Sequence, residues 1–406
     1  MLQGRAKNYA IAQAVISSLG CLTSLAGGGV MLAIGFFSSL LDPSSAAEAG
    51  VLLVLGWTSL LVGVAFVPGL ITVIYAWKGK LLPVIKPAWQ HSLMIFGVIV
   101  WLSSLLFVGF TSHNQVFNFI TSLLILPLVL VPILFFFWVG ARKLSLGNQL
   151  RAWGAVAFNF SLTMPIVLAA EMVVFFVIFI FITFWLLGQP ELLTQIMQFG
   201  EQASNGMINP VDAEQFIVQL LSNPAVLTGS ILVVSVLVPL IEELLKPMAI
   251  WFLAGKRLTP SQGFVGGLIG GACFAILESL GAVGIPADSQ WLVLLFARTG
   301  TGILHVALSG MVGWGLASAF YEGKWLRAFL TYLLAVGIHG LWNFFALLSG
   351  LVPILPISEQ MDVMPIILGQ LGVFVLLLLF VVNFILLFSL NHHLQRENRL
   401  PVNRFS

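Results

Sequence analysis

Residues 226–254 read VLTGSILVVSVLVPLIEELLKPMAIWFLA. A helix needs about 20 consecutive apolar residues to cross a bilayer, and this stretch supplies more than that. Glu242, Glu243 and Lys246 nevertheless stand inside it. A charge near the centre of a spanning helix costs about 2.5–3.5 kcal/mol on insertion scales. Such residues face the protein interior rather than lipid, and they are candidates for function by default. The stretch is therefore read as a membrane-spanning helix that carries chemistry.

The rest of the chain agrees with that reading. Of 406 residues, 59% are hydrophobic and 8% charged, whereas a soluble domain carries roughly 25% charged residues. The balance cannot cover a water-facing surface. Cys21 and Cys273 both lie in apolar stretches and suggest neither a disulfide framework nor a thiolate metal site. The first apolar stretch follows Arg5 and Lys7 as a signal peptide would. It is too long and lacks a small-residue cleavage site, so it is expected to be a retained helix.

Ten segments are long and apolar enough to span: residues 10–40, 51–76, 91–111, 116–140, 154–187, 226–254, 262–284, 291–319, 328–350 and 365–391. Basic residues fall on alternate connections: Arg5 and Lys7; Lys78, Lys80 and Lys86; Arg142, Lys143 and Arg151; Lys256 and Arg257; Lys324 and Arg327; Arg396, Arg399 and Arg404. The intervening loops hold Asp42, Glu48, Glu191, Glu201, Asp212, Glu214, Asp288, Glu359 and Asp362, with no lysine or arginine. The positive-inside rule then predicts both termini in the cytoplasm. The expected fold is all-α, a polytopic membrane helix bundle of about ten transmembrane helices. Short loops and clean alternation fit a prokaryotic cytoplasmic membrane. The net charge of +2 is uninformative about nucleic acid, and no nucleic-acid partner is expected.

The chain divides into four regions. Residues 1–187 form a five-helix membrane region with no assigned role, and residues 188–225 an extracytoplasmic loop. Residues 226–350 hold nearly all the buried charge, and residues 351–406 a last helix with a basic tail. Within the loop, Asn209-Pro210 followed by Asp212 and Glu214 predicts a helix start. Phe216, Ile217, Leu220 and Leu221 would give that helix an apolar face suited to a membrane surface.

Six ionisable residues fall inside the spans: Glu171, Glu242, Glu243, Lys246, Glu278 and Arg298, joined at membrane depth by His305 and His339. At 1.5 Å rise per residue, Glu243, Glu278, His305 and His339 come out roughly 18, 24, 21 and 17 Å from the cytoplasmic ends of successive helices. Four antiparallel helices thus place their polar groups in one slab near the midplane, as a shared site would.

Local spacing adds roles. Lys246 is one turn after Glu242 in the favourable order, so those two are expected to pair, with Glu243 turned about 100° away and available. Pro239 and Pro247 bracket the motif and are expected to open the helix locally. Arg298, Gly302, His305 and Ser309 form one stripe, and His339 shares a face with Asn343. Gly266, Gly267, Gly270 and Gly271 would let a neighbouring helix approach closely. Two imidazoles and several carboxylates buried together suit divalent-metal binding or general acid–base catalysis. A zinc site would take His305, His339 and one carboxylate, with a second glutamate as base.

In order along the chain, these residues form EELLK (242–246), FAILE (274–278), an arginine seven before His305 with Ser309 following, and HGLWN (339–343). The set resembles the PrsW family of intramembrane proteases, within the wider grouping of CAAX prenyl proteases and bacteriocin-processing proteins. The resemblance covers about residues 226–350. It implies Glu242 and Glu243 as the paired-glutamate motif, Glu278 as the second-motif acid, and His305 and His339 as the histidine motifs. It also implies hydrolysis of peptide bonds in a membrane-tethered protein. Zinc or another divalent ion, held by His305, His339 and Glu278, and a metal-free glutamate mechanism both remain open. Lys246, Arg298, Ser309 and Asn343 are expected to support the site, with Asn343 a candidate oxyanion donor. Prenyl proteases fit less well, because they carry EExxxR and FxxxH where this chain has EELLKP and FAILE.

Two other classes suit a buried charged cluster. A transporter or ion channel would couple ions or protons through it, but the two halves share no motif and nearly all the buried charge is in one of them. A catalytically inactive membrane scaffold would keep the fold without needing Glu243, Glu278, His305 and His339 together.

Overall fold

The computed structural model describes residues 4–41, 46–83, 90–111, 117–254, 258–284, 290–351 and 364–399. The expectations resting on Asp42, Lys86, Lys256, Arg257, Asp288, Glu359, Asp362 and Arg404 lie outside these residues. The described residues are almost entirely helical, with no strand among them.

Among the described residues, ten helices have the length and composition to cross a membrane: Ala6–Leu41, Glu48–Trp77, Gln90–Thr111, Asn118–Ala141, Gln149–Leu186, Pro224–Leu253, Pro260–Val283, Trp291–Glu322, Trp325–Gly350 and Ile367–Glu397. They correspond one for one to the apolar runs of the sequence. Many large apolar side chains on them are exposed, among them Phe110, Phe176, Phe181 and Phe374, as lipid-facing positions would be.

The chain separates into two compact units. The first comprises Met1–Met164, Glu243–Ala335 and Phe380–Ser406; the second comprises Pro165–Glu242 and Val336–Leu379.

The first unit is built around Pro260–Val283. The most apolar window of this helix is 89% buried, against 11% for the first helix, so its surroundings are protein rather than lipid. Its start is a capping box, with Thr259 accepting from Gln262 N and Gln262 returning to Thr259 N, and Pro260 in the first turn. Such an arrangement satisfies backbone donors that a helix start leaves orphaned. Phe264, Leu268 and Ala275 are buried among Ile125, Leu128 and Ile133 of the Asn118–Ala141 helix and Leu387 of the last one. Asn391 Nδ2 donates to the carbonyls of Gly140 and Arg142 at 2.6 and 2.9 Å, closing the end of the Asn118–Ala141 helix.

The neighbour that matters most for function is Gln290–Glu322. It meets Pro260–Val283 along a stripe where side chains are nearly absent. An added Cβ at Gly267 would run into the Ser309 carbonyl, and one at Gly271 into that of His305. Close backbone approach of this kind is what small residues permit between membrane helices. Ser309 is fully buried here and its Oγ has no hydrogen-bond partner among the described residues, so its part in the fold is to pack.

The second unit includes the loop between the fifth and sixth spans, which holds two helices. Pro210–Leu221 begins where the sequence predicts, with Asn209 and Asp212 forming a capping box. Pro190–Ser204 also forms, with proline in its first turn and Glu191 beside it. Phe199 and Phe216 stack with centroids 3.9 Å apart and planes 5° from parallel.

Candidate active site

The helix that carries the paired glutamates is interrupted twice. It widens into a π turn over Val233–Leu237, resumes over Val238–Leu245, and breaks before Met248–Ala254. Pro239 accounts for the first interruption. In the π turn the Val238 N–H reaches the Val233 carbonyl, and Pro239 has no N–H to offer. The Val234 carbonyl therefore loses the donor that either helical register would give it. Asn343 Nδ2 supplies the replacement at 2.9 Å. A second π turn, Asn159–Thr163, likewise ends two residues before a proline, Pro165.

This bond fixes the face of the helix bearing His339. Gly340 lies so close to the Ser235 carbonyl that a Cβ there would collide with it. His339 is then 3.8 Å, Nε2 to Oε2, from Glu242, and both side chains are buried. Asn343, expected as an oxyanion donor, is engaged with a backbone carbonyl in this structure.

In the first unit a continuous polar chain runs from Glu243 to Arg298. Lys246 Nζ is 2.8 Å from Glu243 Oε1 and 2.7 Å from His305 Nδ1. His305 Nε2 is 2.7 Å from Glu278 Oε2. That same oxygen meets Arg298 NH2 at 2.7 Å, and Arg298 Nε reaches Ser279 Oγ at 3.3 Å. Phe274 closes the apolar side, its ring edge-on to His305 at 5.1 Å and face-on to the Lys246 ammonium at 4.3 Å. Glu243, Lys246 and His305 are fully buried.

The protonation pattern follows from donor chemistry. An ammonium has donors and no acceptor, so His305 Nδ1 must accept. Nε2 then carries the hydrogen and donates to Glu278. Glu278, whose side chain is 32% exposed, accepts from His305 and is ion-paired with Arg298.

The pairing differs from the sequence expectation in one respect. Glu243, expected to turn away from Lys246, is its ion-pair partner at i,i+3. The α register stops at Leu245, because the Pro247 ring conflicts with the carbonyl four residues back, that of Glu243. Lys246 sits in the resulting turn rather than on the next helical position.

Among the described residues, Glu242, Glu243, His305 and His339 form a buried group that could hold a metal ion, with one ligand atom from each within 4.8 Å of the others. Zinc takes nitrogen and carboxylate oxygen at about 2.0–2.2 Å, which sets donors about 3.4 Å apart in a tetrahedron. Two carboxylates and two imidazoles are the kind of donors that zinc takes. Glu278 is placed behind His305 rather than in the group, and Glu171 lies in the second unit, half-buried.

The described residues thus combine ten helices long and apolar enough to cross a membrane with a buried set of two glutamates and two histidines. Residues 203–387 match the model of the PrsW family intramembrane metalloproteases. The match starts within the loop and ends within the last helix, so it is wider than the motif-bearing stretch of residues 226–350. Neither the curated proteins nor the solved structures include a significant match.

Proposed function

We propose that the chain cleaves a peptide bond of a membrane-tethered protein, with Glu243 or Glu242 as the carboxylate that takes the proton of the attacking water. The observation that carries this reading is the buried group of Glu242, Glu243, His305 and His339. Carboxylates removed from bulk water suit proton transfer from a bound water, and two imidazoles beside them can bind a cation or polarise the scissile carbonyl.

His305, His339 and one of the two glutamates would hold a divalent ion, zinc or another, leaving a position for water and the other glutamate as base. When bound, such an ion polarises a carbonyl and makes water acidic enough to attack at neutral pH. The chain's own contributions are separable from that. Glu278 orients His305 through Nε2–H and is itself held by Arg298, an outer arrangement that fixes a histidine's tautomer. Asn343 holds the π turn that precedes the helical turn bearing Glu242. Lipid surrounds the bundle, both termini are cytoplasmic, and the loop helices lie on the outer face of a prokaryotic cytoplasmic membrane.

The test is cleavage of membrane-anchored peptides by the purified, reconstituted chain. Glu242→Gln and His339→Ala should each abolish cleavage while leaving the thermal transition in place; Glu243→Gln should abolish it too, with a lower transition because buried Lys246 loses its ion-pair partner. Undiminished cleavage by both glutamine variants would remove the proposed bases. Ion flux in liposomes that depends on the same residues, without cleavage, would instead support transport.

A further inference from the structure

We propose that the Lys246 ammonium and a divalent cation are alternative occupants of one position, so that Lys246 sets how tightly this chain holds metal. The inference rests on the metal-binding reading above and adds a role for a residue outside the ligand group.

Lys246 Nζ contacts two members of that group at once, Glu243 at 2.8 Å and His305 at 2.7 Å. Its side chain is fully buried and its charge lies over the face of Phe274. The one lone pair that His305 can give to a metal is at Nδ1, because Nε2 carries the hydrogen donated to Glu278. That lone pair points at Lys246. His305 is therefore already in the tautomer that metal ligation through Nδ1 requires, with a carboxylate behind it as in metal-bound histidines. What stands in the ligating direction is a cation belonging to the chain itself.

A metal bound through His305 Nδ1 would lie about 2.0–2.1 Å from that atom. An ammonium at 2.7 Å from the same atom cannot share the direction, and like charges at such separations repel strongly. The two occupants exclude each other. The four-carbon stem of lysine lets the ammonium swing away, at the cost of its contacts with Glu243, His305 and Phe274. In exchange, the ammonium keeps buried Glu243 compensated while no metal is bound, and an uncompensated buried charge is strongly destabilising.

The experiment uses the full chain purified in detergent and Zn2+ alone, with affinity measured by chelator competition and bound zinc by elemental analysis. Lys246→Met and Lys246→Gln should each bind Zn2+ at least tenfold more tightly than the wild type, with the same stoichiometry. Equal or weaker binding by the folded variants, with the wild type binding normally, would overturn the competition and leave the metal reading standing. Failure of all three proteins to bind zinc would remove the metal reading and this inference with it. Should both variants misfold, an experimental structure of the wild type with Zn2+ decides: the ammonium should have left Glu243 and His305, and an ammonium still bridging them beside a bound ion would refute the exclusion.

Discussion

Gly271 faces the backbone carbonyl of His305 with no room for a side chain between the two helices. The relation links packing to chemistry, because the closeness of Pro260–Val283 to Gln290–Glu322 is what brings His305 Nε2 to within 2.7 Å of Glu278 on the facing helix. Gly271→Ala should therefore do two things. It should lower stability by about 1–3 kcal/mol, the usual cost of forcing a methyl into a packed core, seen as a lower thermal midpoint in detergent. It should also reduce cleavage more than Gly281→Ala, a substitution on the same helix where nothing stands within 4 Å of the new Cβ. Equal effects of the two would mean that close approach does not position the histidine.

The Asn343 bond to Val234 makes a prediction about a pair. Asn343→Ala strands a backbone carbonyl and should cost about 1–3 kcal/mol. Pro239→Ala restores an N–H that the π turn could direct to the same carbonyl. The double variant should then be less destabilised than the sum of the two singles, with a coupling of about 0.5–3 kcal/mol. Additive thermal or denaturant data would show that Asn343 does not serve that carbonyl.

Much of this was legible in the sequence, and the limits have physical causes. The spans follow from run length, since a bilayer of fixed thickness demands a fixed number of apolar residues. That Glu242, Glu243, His305 and His339 are buried in protein follows from the cost of exposing such groups to lipid. The Lys246–Glu243 ion pair was not legible, because the expectation extended an ideal helix through a position where Pro247 ends it. The placement of Glu278 behind His305 could not be read, since it depends on how two helices are rotated against one another. The Pro190–Ser204 helix was missed although Gln189-Pro190-Glu191 is the same kind of start signal as Asn209-Pro210. Its apolar residues Leu192, Leu193 and Ile196 were read as connector.

The two loop helices are coupled by the Phe199–Phe216 stack. Aromatic pairs contribute about 0.5–1.5 kcal/mol beyond the area they bury. Phe199→Ala and Phe216→Ala should each raise the rate at which an added protease cuts within residues 205–209, and the double variant should be little worse than either single. Independent, multiplying effects would show that the rings do not act as a pair.

Glu278 serves two neighbours through one oxygen, and its variants should separate them. Glu278→Gln keeps a hydrogen-bond acceptor for His305 but removes the charge facing Arg298. Outer partners of functional histidines are typically worth 10–100-fold in activity or metal affinity, so kcat should fall by about that much. Stability should fall too, by about 1–3 kcal/mol, because the Arg298 guanidinium is 14% exposed and loses its counter-charge. Adding Arg298→Met should return most of the stability, since a buried pair replaced by apolar groups is often neutral where a broken one is not. It should return none of the activity, because the methionine does nothing for His305. Recovery of both by the double variant would mean that Glu278 acts only as a counter-ion to Arg298, and its role in orienting His305 would have to be abandoned.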